Sequence, residues 1–160
     1  MRMQIPDINN KKITVLGAAR SGIAAARFLA EKGARIFISE QAAKSHEVEE
    51  MKQLESLGIE TEFGGHTSKI FDADLWVVSP GIPMSSPVIQ NAGKKNISVY
   101  GELEVASWYC HSPIVAVTGS NGKSTVTALL GEVFKNAHIP CVVAGNIGSP
   151  FAGSVEKTVP

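Results

Sequence analysis

The sequence predicts an α/β protein built on parallel sheets, and three observations carry that prediction. Short β-branched apolar runs alternate with segments of helical period from Lys12 onward. Glycine-rich loops lie between strand and helix twice, at Gly17–Gly22 (GAARSG) and at Thr118–Thr125 (TGSNGKST). Strand, glycine loop, helix and strand in succession make a βαβ unit. The predicted class is therefore a Rossmann-like parallel sheet at the N-terminal end, followed by the start of a second α/β domain that opens with a P-loop.

The elements follow in order. Lys12–Leu16 (KITVL) is a strand that Gly17 ends, and Ser21–Glu31 carries Ile23, Ala24, Ala26, Phe28 and Leu29 at helical spacing. Gly33 sits where a helix C-terminal glycine belongs. Ala34–Ile38 is the second strand. His46–Leu57 places Val48, Met51, Leu54 and Leu57 on one side of a helix that Gly58 stops. Ile59–Phe63 and Asp74–Val78 are further strands, the latter followed by the turn Ser79-Pro80-Gly81-Ile82-Pro83. Ser86–Ala92 is a short helix with Pro87 at its start, and Ile97–Tyr100 a fifth strand.

The pattern then restarts. Gly101–Tyr109 reads as a helix, Ile114–Val117 as a strand, Gly122–Ala137 as a helix and Cys141–Ala144 as another strand. After Asn146-Ile147-Gly148 the signal fades into loop. The expected division is residues 1–100 for the first domain and 101–160 for a connecting helix and the beginning of the second. Two strands cannot make a buried parallel sheet alone, so the sequence reads as the N-terminal part of a longer protein.

Composition narrows the function. Hydrophobic residues make up 44% of the 160 and charged ones 19%, a globular balance. Fifteen basic side chains offset fifteen acidic ones, so no global field draws nucleic acid or an anionic membrane. No apolar stretch approaches the roughly 18 residues of a membrane span, and "MRMQIPDINNKK" lacks the apolar centre of a signal peptide. Cys110 and Cys141 fit no metal or redox spacing and read as reduced packing thiols of a cytoplasmic protein. The four histidines, His46, His66, His111 and His138, form no ligand pattern, and Trp76 and Trp108 read as core.

In the first loop, Gly17 and Gly22 match the outer glycines of the dinucleotide fingerprint G-x-G-x-x-G, but Ala19 replaces the middle one. That methyl group weakens an NAD(P) reading, because the middle glycine lets backbone approach a pyrophosphate. The helix N-terminus still suits an anion. Glu40, at the end of the second strand, lies close to where a ribose-binding acid falls. A nucleotide-like ligand, an NAD(P) site and a purely structural turn all stay open on these residues.

In the second loop, Gly122-Lys123-Ser124 match the end of the phosphate-loop pattern, while Val117 holds its first glycine position. Backbone N–H groups from Gly119 to Ser124 can surround phosphate oxygens. Lys123 supplies a point charge to them, and the Ser124 hydroxyl can join a Mg²⁺ shell. All three aspartates, Asp7, Asp72 and Asp74, precede the loop, and only Glu132 and Glu156 follow it. No strand-borne acid stands at the usual metal-binding place after it.

"VTGSNGKST", "SPGI" at Ser79–Ile82 and "GNIGSP" at Gly145–Pro150 together resemble the Mur ligases, ATP-dependent amide-forming enzymes of peptidoglycan precursor synthesis. The chain is most similar to the branch that adds D-glutamate to UDP-N-acetylmuramoyl-L-alanine, over about the first third of such an enzyme. The resemblance implies that the first domain binds the UDP substrate and the second binds ATP with Mg²⁺. It implies further that the carboxylate is activated as an acyl phosphate. It assigns Gly119, Ser120, Asn121, Gly122, Lys123, Ser124 and Thr125 to ATP, with Lys123 neutralising phosphate charge and Ser124 on Mg²⁺. It assigns Ala18, Ala19, Arg20, Ser21, Gly22, Ser39, Glu40, Gln41, Gly81 and Asn146 to the UDP substrate. Ser39-Glu40-Gln41 stands where this branch often has Asp-Thr-Arg, so no arginine contact carries over there.

The resemblance also implies a cytoplasmic monomer, with no nucleic acid partner, and a D-glutamate site outside these residues. The 160 residues alone are expected to be inactive. Three other readings remain: a sister ligase of the Mur or folylpolyglutamate type, a non-catalytic UDP-binding module, and an NAD(P)-dependent oxidoreductase domain.

Overall fold

The computed structural model describes residues 6–43 and 48–155. His46 and the first residues of the helix expected from 46 lie outside them, as does Glu156. Five strands form one parallel sheet: β1 (Lys12–Leu16), β2 (Arg35–Glu40), β3 (Glu60–Phe63), β4 (Leu75–Val78) and β5 (Ser98–Gly101). Their order is β3-β2-β1-β4-β5, so β1 and β4 are the neighbours where the winding reverses. The helices are α1 (Arg20–Glu31), α2 (Val48–Ser56), α3 (Pro87–Lys94), α4 (Glu102–Ser107) and α5 (Lys123–Asn136).

β1 is apolar on both sides because both faces of the sheet are covered. Ile13 and Val15 join a core with Phe28 and Leu29 of α1 and Val105, Ala106 and Trp108 of the α4 region. Leu16 turns to the opposite face, with Trp76, Ile70 and Ile89 and Ala92 of α3. Each Ile, Val, Leu and Phe side chain among these contributes about 1.5–3 kcal/mol by leaving water. Two buried polar groups inside the second cluster are satisfied by one acceptor. The Ile70 carbonyl receives Trp76 Nε1 at 2.8 Å and Thr14 Oγ1 at 3.0 Å. Both tryptophans are core, as expected. The turn that supplies Ile70, a 3-10 helix at Ser68–Phe71, has no counterpart in the sequence reading.

Tertiary pairing moves several boundaries. β2 runs to Glu40 rather than ending at Ile38, because Ser39 and Glu40 pair with Glu62 and Phe63 of β3. α1 ends as read: Gly33 takes φ +87°, and its N–H and that of Ala34 return to Ala30 and Leu29. The tail, which reads as loop, instead closes on the first core. Ala152, Ser154 and Val155 are each 3% exposed or less, and the Ala152 amide donates to the buried Glu102 carboxylate at 2.6 Å.

The two strands expected at Ile114–Val117 and Cys141–Ala144 do not form. A parallel strand needs neighbours for its N–H and C=O groups and for its apolar faces. Here Ile114, Val115 and Val142 are 44–64% exposed, and a single bridge joins Ala144 to Ser149. α5 forms in its expected place, yet none of its residues is buried, and Val126, Leu129 and Val133 face solvent. Cys141 is exposed rather than packed.

Candidate functional site

At the carboxyl end of β1 the chain turns through Gly17, whose φ of +92° favours glycine. The turn is wedged from two sides. The Gly17 N–H donates to the Ser39 carbonyl at 2.9 Å, and its own carbonyl accepts from the buried Ser79 hydroxyl at 3.2 Å. Gly22 lets α1 start this close to the strand: a Cβ there would sit 1.9 Å from the Gly17 oxygen. β1, β2 and β4 thus converge on one loop at the strand-order reversal, where open α/β sheets place their ligand crevice.

α1 starts at that crevice with Ala19 at its N-cap and no side-chain cap. Its first-turn amides therefore have no partner within the helix. The amide just before them does: Ala18 N donates to Glu40 Oε2 at 2.7 Å, while Glu40 Oε1 accepts from Ala42 N at 2.9 Å. Burial pushes the Glu40 carboxyl up. Hydrogen bonds from the Ala42, Ala18 and Gln41 amides, with the nearby His66 ring, outweigh that and hold it below the ordinary carboxylate value. The acid at the end of β2 is thus spent in large part on the protein's own loop.

The structure brings Gly17–Gly22, Ser39–Glu40 and the Ser79–Gly81 turn together, with different exposure. Ala18 and Ser39 are buried, Glu40 is half-buried, and Ala19, Arg20, Gln41 and Gly81 are exposed. Gly81 has no left-handed φ, and a Cβ added to it would meet nothing within 4 Å. The loop that carries Asn146 touches the same region two residues further on, at Gly148. Arg20 Nη2, on the first turn of α1, donates to the Gly148 carbonyl at 2.8 Å.

The second glycine loop is built by its own backbone. Gly119 and Gly122 take φ values of +148° and +77°, and α5 begins after Gly122 with no side-chain cap. Lys123 Nζ curls back onto the loop, donating to the carbonyls of Gly119 at 2.6 Å and Ser120 at 3.3 Å. An open helix N-terminus with an ammonium group beside it fits a phosphate chain. Ser120, Asn121, Ser124 and Thr125 are exposed around it. No group of three His, Cys, Asp or Glu that could hold a metal ion occurs among the described residues. A Mg²⁺ ion here would rest on Ser124 and on the phosphates themselves.

Two clusters that the sequence does not announce form in the fold, one beside the crevice and one under the tail. Glu62 of β3 accepts from Ser39 Oγ at 2.6 Å and Thr67 Oγ1 at 2.6 Å, and His66 Nδ1 lies 2.6 Å from the same Ser39 oxygen. Glu102 is 2% exposed and receives the tail. Neither belongs to a spaced motif; only the pair Gly64-Gly65 before His66 marks the place.

This arrangement defines a doubly wound α/β protein with a ligand crevice at the switch of strand order, followed by a glycine-rich phosphate-type loop. Residues 11–101 match the family model described as Mur ligase MurD-like, N-terminal domain. The chain belongs to that family. It is 46% identical over 159 residues to a protein of Salinibacter ruber (strain DSM 13855 / M31) named UDP-N-acetylmuramoylalanine--D-glutamate ligase, covering 96% of this chain and 34% of the relative. It is 41% identical over 156 residues to the protein of the same name from Chloroherpeton thalassium (strain ATCC 35110 / GB-78), covering 94% and 33%. The chain therefore spans about a third of the length of the curated relatives it matches. A solved pseudomurein peptide ligase type C from Methanothermus fervidus aligns with a TM-score of 0.54 at 26% identity, over 80% of this chain and 26% of that one.

Proposed function

We propose that the crevice binds the UDP portion of UDP-N-acetylmuramoyl-L-alanine. In this reading the whole protein is an ATP-dependent, ADP-forming ligase that joins D-glutamate to that substrate in the cytoplasm, as a monomer. The observation that carries it is the pairing on one chain of an uncapped helix at the strand-order reversal with a second uncapped, glycine-opened helix bearing Lys123. One anion site suits the diphosphate of the substrate and the other a nucleoside triphosphate. Residues 1–100 form the UDP-binding part and 101–160 begin the ATP-binding part.

The first-turn amides Arg20, Ser21 and Gly22 face the diphosphate, and Ala19 and Gly81 leave room for the nucleotide. Ser39 and Glu40 hold the loop in shape beside Gln41. Asn146, tied in through the Gly148–Arg20 bond, addresses the sugar end. Gly119–Thr125 hold the triphosphate through backbone N–H groups, with Lys123 neutralising its charge and Ser124 on Mg²⁺. ATP, when bound, supplies the phosphoryl group that makes the alanyl carboxylate an acyl phosphate. The D-glutamate amine then displaces phosphate to form the amide, a gain that depends on aligning two anions. The 160 residues by themselves are proposed to be inactive, a reading supported by their spanning about a third of the length of the ligases they match.

Calorimetry of the chain with UDP-N-acetylmuramoyl-L-alanine, UMP, Mg-ATP and NADH tests this. Binding of the two uridine ligands with weak or absent Mg-ATP binding is expected. NADH binding without uridine-ligand binding would replace the reading by that of an oxidoreductase domain. Amide formation from ATP, substrate and D-glutamate by the chain alone would overturn its proposed inactivity.

A further inference from the structure

Ser39 sits at a junction. Its carbonyl holds the Gly17 amide at 2.9 Å, and its fully buried hydroxyl lies 2.6 Å from both Glu62 Oε1 and His66 Nδ1. A serine hydroxyl has one proton to give. Burial raises the Glu62 carboxyl, but bonds from Ser39, the Thr67 hydroxyl and the Thr67 amide, with the His66 ring nearby, hold it below its ordinary value. Glu62 is then a carboxylate and only accepts, so the Ser39 proton goes to it. The Ser39 oxygen must in turn accept from His66, which places a proton on Nδ1. In the neutral ring this leaves Nε2 bare, as an acceptor.

The local chain is shaped to deliver that ring. Gly64 and Gly65 take φ values of +83° and +141° although a Cβ at either would meet nothing, so backbone conformation alone favours glycine. Their amides bond back to Ala42 and Glu40, folding the β3 loop over the end of β2. His66 is half-buried. Glu40, the acid that would ordinarily face the nucleoside at this place, already accepts from Ala18 and Ala42.

We propose that His66 is a nucleoside-recognition residue of the crevice, accepting a hydrogen bond at Nε2 from the imide N–H of a uracil base. This rests on the reading of the crevice as a uridine-nucleotide site. Uracil presents one imide donor, and a bare ring nitrogen is a neutral acceptor for it. A cytosine, which has a lone pair at that ring position, is disfavoured by the same atom.

The test compares the chain with His66→Asn and His66→Gln, using UMP, N3-methyl-UMP and 2′-deoxy-UMP in calorimetry. Asn keeps an N–H donor near Ser39 and removes the Nε2 position. Gln reaches the Nε2 position and breaks the link to Ser39. Wild type is expected to bind UMP about tenfold more tightly than N3-methyl-UMP. His66→Asn is expected to bind both equally weakly with an unchanged melting temperature. Nitrogen NMR of the ring should show the proton on Nδ1. Unchanged UMP affinity in His66→Asn, with loss only in His66→Gln, would make His66 a structural latch and overturn the proposal. Discrimination by wild type against 2′-deoxy-UMP but not N3-methyl-UMP would overturn the base assignment. No uridine binding by wild type would overturn the crevice reading itself.

Discussion

Glu102 and Ala152 close the chain on itself: a carboxylate 2% exposed at the start of α4 accepts the Ala152 amide at 2.6 Å, fifty positions away. Burial raises the Glu102 pKa more than the bonds from Ala152 and Phe151 lower it. The native state therefore holds this proton to higher pH than the unfolded chain does. The Glu102 contribution is fully present below its ordinary value and is lost as pH rises through the raised one. Melting curves against pH should show wild type losing stability relative to Glu102→Gln over that interval. Glu102→Ala should cost about 1–3 kcal/mol at pH values below the ordinary carboxylate range, by leaving tail amides unpaired, and less as pH rises through the raised value.

Glu40 has the opposite sign. Its carboxylate is held below the ordinary value, so its contribution is present above that value and is lost as pH falls through the lowered one. Acid unfolding of Glu40→Gln should start from lower stability than wild type at neutral pH and converge with it in acid. The group is partly exposed, and about 1 kcal/mol is expected at neutral pH.

Two glycines of the crevice should separate cleanly. Gly22→Ala places a methyl group 1.9 Å from the Gly17 oxygen, which only a shift of α1 can relieve. A loss of about 3 kcal/mol or more is expected in chemical denaturation. Gly81→Ala meets nothing within 4 Å and should stay within about 0.5 kcal/mol of wild type. A fall in UDP-ligand affinity in that variant then reports close approach of the ligand to residue 81.

Lys123 Nζ bonds to the Gly119 and Ser120 carbonyls of its own loop and is exposed. Lys123→Ala should leave the melting temperature unchanged and lower whatever Mg-ATP affinity the whole protein has. An unchanged affinity would remove the phosphate role.

The first sheet was largely legible in the sequence because its strands are short β-branched runs cut by glycine, and its helices carry a clear apolar period. Gly17, Gly22 and Gly33 could be placed by turn chemistry alone. The tail was not legible: Phe151–Val155 has no period, and only contact with Glu102 and the first core gives it a fixed place. The runs Ile114–Val117 and Cys141–Ala144 have strand composition, but composition does not supply neighbours, and without them neither pairs. At the site, the glycine loops announced themselves, whereas His66 and Glu62 did not. Their relation to Ser39 exists only across the β2–β3 pairing.

The sequence by itself determined the alternation of strand and helix, the two glycine loops and the family likeness, since each rests on residues close together in the chain. Tertiary structure decided which hydrogen-bonding groups the chain itself already uses. Glu40 looks like a free acid in sequence, and the fold gives it to Ala18 and Ala42. Ser39 looks like a contact residue, and the fold buries it to hold His66. Hydrogen-bond capacity is finite, and only the packed chain shows where it has been spent.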